Sequence, residues 1–188
     1  MPLLETRASA SAQGYGLFGA TASTGNFFLI QQLSPSAVST ITFNSIPSTY
    51  KSLQVRFNLV TSSGSGTFGE IQFNSDTSTA HYAMHYLSGE GSTATVGGTA
   101  SGLNGYIKMF QNYTVTTYPA VGIIDVIDYA NANKNKTVKT LVGANNNTAT
   151  GSIEIDSGVW LSTAAVTSLT LLVGSGTYTG TISLYGVS

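Results

Sequence analysis

Leu53, Val55, Phe57 and Leu59 alternate with Gln54, Arg56 and Asn58 inside the stretch ITFNSIPSTYKSLQVRFNLV at positions 41–60. Successive side chains of a strand point to opposite sides of the sheet, so this period of two requires a strand with one buried and one wet face. Pro47 sets its own φ and biases Ile46 away from helix, which makes Ile46-Pro47-Ser48-Thr49 a turn before the strand. The rest of the chain repeats the pattern. Short alternating runs are separated by clusters of Gly, Ser, Thr, Asn and Pro, and no window carries an i, i+3, i+4, i+7 apolar stripe.

The expected strands are Phe27 to Gln32, Val38 to Phe43, Leu53 to Val60, Phe68 to Phe73, His81 to Leu87, Tyr106 to Phe110, Ala120 to Ile127, Thr137 to Val142, Ile153 to Trp160, Leu169 to Val173 and Thr181 to Val187. Asn74-Ser75-Asp76-Thr77 reads as a turn, Ser88 to Leu103 as a loop, and Ser162-Thr163-Ala164-Ala165 as one helical turn at most. The fold class is therefore all-β: an antiparallel β-sandwich of about ten strands, jelly-roll-like in path. Missing helices exclude a βαβ arrangement. An immunoglobulin-like path lacks the Cys…Trp…Cys spacing, and no fixed period suggests a solenoid or propeller.

At 188 residues the chain makes one domain plus an arm, with length enough to bury roughly 70% of its unfolded surface. We divide it into an N-terminal arm, 1–25, and a sandwich domain, 26–188. The arm has no sustained period and is punctuated by Gly14, Gly16, Gly19 and Gly25. It is either a loose terminus or, the reading we adopt, a segment that orders by docking on a neighbour through Leu3, Leu4, Arg7, Tyr15, Leu17 and Phe18.

Charged residues make up only 8% of the chain and net charge is −1, against about 25% charged in an ordinary soluble domain. A hydroxyl-rich, nearly uncharged surface suits a protein packed into an assembly or held outside a cell. Seven Lys and Arg are too few for a large phosphate-neutralising patch, so nucleic acid is not the expected partner. With no cysteine there is neither a disulfide nor thiol chemistry. Glu5 and Arg7 stand where a secretory signal needs an apolar core. No apolar run reaches the ~18 residues of a membrane span. Synthesis in a cytoplasm, with export, if any, by a route other than a secretory signal, is the expectation.

The residues that could carry chemistry do not converge. His81 and His85 are four apart, which on a strand separates them by about 13 Å and rules out a shared metal ion. Asp125 with Asp128, and Glu154 with Asp156, lack the arrangement of a glycosidase acid pair, and the outward face of a strand is the expected place for Glu154 and Asp156. A calcium ion held by Asp76 or Asp156 is the more natural metal chemistry, but no cofactor or metal is assigned. Serine is abundant without a Gly-x-Ser-x-Gly elbow. Lys134, Lys136 and Lys139 read as a solvated hairpin tip before an anionic-partner contact. Trp160 reads as core, with stacking on a sugar ring the alternative. No catalytic residue is expected, and the chain is not expected to be an enzyme.

Five segments carry a likeness. Ile41-Thr-Phe-Asn-Ser-Ile-Pro-Ser-Thr-Tyr-Lys-Ser-Leu is followed by Ile71-Gln-Phe-Asn-Ser-Asp-Thr and by a His/Tyr strand ending Leu87-Ser-Gly-Glu-Gly-Ser. The chain closes with Trp160-Leu-Ser-Thr-Ala-Ala-Val-Thr-Ser-Leu-Thr-Leu and Ser183-Leu-Tyr-Gly-Val. Over roughly residues 37 to 188 this order resembles a group of tailed-phage virion structural proteins. The opening Thr6-Arg7-Ala-Ser-Ala-Ser-Ala-Gln-Gly-Tyr-Gly is similar to the leader of some phage fibre proteins, although no heptad shaft follows. The resemblance implies a non-enzymatic β-sandwich made in the host cytoplasm and placed on the virion's outer surface. A capsid decoration (cement) protein on the major capsid protein, as a homotrimer, is the first expectation. The alternative is a tail-fibre or receptor-binding tip module, attached to a tail baseplate protein and recognising host-surface glycans.

Overall fold

The computed structural model describes residues 26–63, 67–112, 118–145, 147 and 151–188. Among them are twelve strands: β1 (Phe27–Leu33), β2 (Thr40–Phe43), β3 (Ser52–Thr61), β4 (Thr67–Phe73), β5 (Tyr82–Glu90), β6 (Thr93–Thr99), β7 (Ile107–Asn112), β8 (Ala120–Ile127), β9 (Lys136–Ala144), β10 (Ser152–Trp160), β11 (Leu169–Val173) and β12 (Tyr178–Val187). A three-residue 3₁₀ turn, Thr79–His81, precedes β5. The segment 1–25, with the expected arm contacts, lies outside the described residues.

The strands form two antiparallel sheets, one ordered β1-β12-β3-β8-β9-β10-β5-β6 and the other β2-β11-β4-β7. Taking β1, β2, β3, β4, β7, β8, β11 and β12 alone gives two four-stranded sheets, β1-β12-β3-β8 facing β2-β11-β4-β7. That is a jelly-roll path, in which successive strands change sheet at every step but β4 to β7, so that the inner faces of the two sheets enclose one core. The remaining strands arrive as two insertions, β5–β6 after β4 and β9–β10 after β8. They add to one edge of the larger sheet in the order β9-β10-β5-β6. Beneath this extension runs β7, the edge strand of the smaller sheet, which touches β9, β10 and β5.

The alternation from Leu53 to Leu59 places the core. Leu53, Val55, Phe57 and Leu59 are buried with Ile71, Phe73, Leu169 and Leu171 in one cluster between the layers. In the register of β3 with β8, Phe57 faces Gly122. A Cβ at Gly122 would collide with the Phe57 ring, so the absent side chain at 122 is what lets that ring lie flat across its neighbour strand.

Several expectations are corrected. The segment from Ser88 to Leu103 is not a loop: β5 continues to Glu90, and Thr93–Thr99 returns beside it as β6. Its Thr, Ala and Gly side chains are too small and too exposed to leave an alternating signature. Residues 162–165 form a bend rather than a helical turn. Val38 joins the fold through an isolated bridge to Tyr178, so the strand there starts at Thr40.

Candidate interaction surface

The outward positions of the large sheet fall into rows that cross the strands. One row runs Arg56–Ile123–Leu141–Ile155–Leu87–Val96, each residue directly opposite the next across β3, β8, β9, β10, β5 and β6. The neighbouring row runs Asn58–Val121–Gly143–Ile153–Gly89–Ala94. From β8 outward the first row is wholly apolar and exposed, from 38% at Ile123 to 74% at Val96. Val121 and Ile153 stand 56% and 58% exposed in the second. Apolar side chains standing singly on a surface are ordinary; five in register across five strands form a contiguous patch of the kind that marks a contact site.

The patch is corrugated. Ile123, Leu141 and Ile155 border a shallow hollow closed by Gln54, Asp125 and Lys139. Leu87, Ala94, Ile153 and Ile155 border another, and a third lies over Gly143 and Gly89 between Val121 and Ile153. Toward β3 the surface turns polar and satisfies itself. Arg56 Nε donates to Gln54 Oε1 at 2.6 Å, and Gln54 Nε2 donates to Asp125 Oδ1 at 2.8 Å. Lys139 Nζ lies 3.7 Å from Asp125 Oδ2. The Arg56 guanidinium covers the rings of Phe27 and Tyr185 at 4.6 and 5.0 Å.

The polarity of β10 is the reverse of the one expected. Ile153 and Ile155 face out, while Glu154 and Asp156 are buried on the inner face. Position 160 decides this: Trp160 is a core residue, 2% exposed, and every second residue back from it must share its face. Thr140 Oγ1 donates to Asp156 Oδ2 across the β9–β10 pair. Burial pushes the Asp156 carboxyl up to about 7; the Thr140 bond opposes this and the nearby Glu154 charge adds to it.

Asp76, weighed as a calcium ligand, has its oxygens engaged within the chain. Oδ2 accepts from Trp160 Nε1 at 2.7 Å and lies 2.6 Å from His81 Nδ1, while Oδ1 accepts from Ser78 N at 2.9 Å. Burial raises its pKa, but the bonds from Trp160, Ser78 and His81 outweigh that and hold it below the usual carboxylate range. The cluster ties the turn after β4 to the end of β10. His81 belongs to it, whereas His85 lies on the outer face over Gly98, so the two histidines are not brought together. Among the described residues no three His, Asp or Glu side chains gather as a metal site. Asp125 and Asp128 also part company, pairing with Lys139 and Lys134.

The lysine run divides. Lys134 and Lys139 are exposed as expected. Lys136 is fully buried, with Nζ donating to the carbonyls of Asn131 and Lys134 at 2.6 Å and of Thr163 at 3.2 Å. Desolvation draws its pKa down, opposed by Asp128. It fastens the β8–β9 hairpin to the segment after β10 and offers nothing to an anionic partner. Trp160, Tyr82, Tyr129 and Tyr178 are likewise core residues, which removes Trp160 as a sugar-stacking platform.

The six arm residues Leu3, Leu4, Arg7, Tyr15, Leu17 and Phe18 lie outside the described residues. The apolar patch itself was not singled out from the sequence. Its signal lies in β8 and β9, which carry Ile, Leu or Val at both parities, and in β10, where Ile153 and Ile155 alternate with the face that Trp160 commits to the core. No protein-family model, curated protein or solved structure matches the chain.

Proposed function

We propose that the chain is a non-enzymatic structural subunit of a tailed-phage particle, a decoration protein bound outside the shell on the major capsid protein. The observation that carries the reading is the in-register apolar patch on a chain so poor in charge. Such a surface is costly on a free subunit and is stabilising once covered in an assembly. The likeness of residues 37–188 to phage virion proteins supplies the particle. Attachment through the segment 1–25, by Leu3, Leu4, Arg7, Tyr15, Leu17 and Phe18, leaves the sandwich outside, where many weak contacts add through multivalency.

The test is stoichiometry on purified virions by quantitative gel or mass spectrometry. A copy number comparable with that of the shell protein is expected. A copy number that is a small fraction of it transfers the chain to the tail, as a fibre or receptor-binding module. Absence from the virion refutes a structural role.

A further inference from the structure

The four strands that exceed the jelly roll present their outer face to solvent, with nothing among the described residues lying over it. That face is built from a ridge and a trough. The ridge is Leu141, Ile155, Leu87 and Val96; beside it lies a trough floored by Gly143, Gly89 and Ala94 and interrupted by Ile153. Gly143 is the informative position. A Cβ built there meets no atom within 4 Å, and its φ does not lie in the left-handed region. Neither the space within the subunit nor its own backbone therefore calls for glycine. Glycine in a strand interior weakens the strand and marks a place where another backbone or ligand approaches closely.

We infer that this face, on β8, β9, β10, β5 and β6, is the contact surface for a second copy of the same chain, packed sheet against sheet. A ridge beside a trough is self-complementary: a two-fold axis between them seats each copy's ridge in the other's trough. Two sheet faces pack in this way about 10 Å apart with their side chains interdigitated. The dimensions agree. The apolar patch covers on the order of 350 Å². The whole outer face of these five strands covers on the order of 700 Å² by the same spacings. A specific interface takes about 800 Å² from each partner, with an apolar centre and a polar rim. The rim is self-complementary as well: Lys139 and Asp125, paired at 3.7 Å beside the patch within one copy, can exchange partners with their opposites on the facing copy. With a net charge of −1, two copies repel one another little.

The inference deepens the reading of the chain as an assembled structural subunit, but it is tested on the isolated full-length protein, so either can fail alone. Sedimentation velocity over a concentration series is expected to show reversible self-association. Gly143→Trp fills the trough from a position where the subunit has room, and Ile155→Lys puts a charge on the ridge at an exposed site. Each is expected to raise the dissociation constant at least tenfold while circular dichroism and thermal unfolding of the subunit stay native. A wild-type chain that remains monomeric throughout overturns the inference. So do two folded variants that associate as the wild type does. Association that survives both variants and disappears on deletion of residues 1–25 assigns the contact to the N-terminal segment and equally overturns it.

Discussion

Asp156 sits where an ionised carboxylate is least welcome, 2% exposed and beside Glu154. Its pKa moves from 3.8 up to about 7 on folding, chiefly through burial. A carboxyl whose folded pKa exceeds its unfolded value takes up a proton on folding. Its favourable contribution is then complete below about pH 4 and is lost as pH rises through about 7. At about 1.4 kcal/mol per pKa unit the loss is at most of order 4 kcal/mol. Asp76 has the opposite sign: its depressed pKa stabilises above the unfolded value and fails as pH falls through the folded one. We expect the melting temperature of the wild type to fall by several degrees between pH 5 and pH 8. Asp156→Asn, which cannot ionise, should flatten that dependence and raise the melting temperature at pH 8. A wild type whose melting temperature is level across this range contradicts the assignment.

Among elements, the β3–β8 pair holds the core together, and the contact of Phe57 with Gly122 is its most constrained point. Phe57→Ala is expected to cost about 3–5 kcal/mol in urea unfolding, the range for removing a buried aromatic ring. Gly122→Ala is also expected to destabilise, because its methyl group meets the Phe57 ring and lies 2.9 Å from Val142 Cγ2. In the double variant the methyl enters the space the ring has left, so the two losses should sum to less than their separate values. Strict additivity would show that the two residues do not touch. The inserted hairpins obey the same packing rule with a different outcome. β10 takes its inner face from Trp160, and its isoleucines are left outside because no third layer among the described residues receives them.

For the whole molecule, the twelve strands of the jelly roll and its extension lie within residues 27–187. Deleting residues 1–25 is therefore expected to leave a folded body whose unfolding free energy lies close to that of the full chain. The deleted side chains could contribute about 1.5–3 kcal/mol each on docking. Ordering some twenty residues costs on the order of 1–2 kcal/mol apiece, so attachment is expected only on a surface that is already formed. The truncated protein should fail to bind empty shells in co-sedimentation. Truncated protein that decorates them with undiminished affinity would place attachment on the sandwich.

The sequence by itself determined every strand but β6, the antiparallel two-layer class and the central core. Each follows from a period of two that is local to one strand, as at Leu53 to Leu59. It held the parity of β10 as well: Trp160, Asp156 and Glu154 are separated by even steps, so a core tryptophan already committed both acids to the interior. What the sequence does not carry is pairing between distant strands. Whether Ile155 meets Leu141 on one side and Leu87 on the other depends on a register spanning three separate segments, and no local period encodes it. The tertiary structure alone decided that the exposed apolar residues of five strands form one row. It also decided that Lys136 lies beneath the hairpin while Lys134 and Lys139 stay in water. The burial of a lysine is fixed by whether three carbonyls converge on its ammonium, and here they come from Asn131, Lys134 and Thr163.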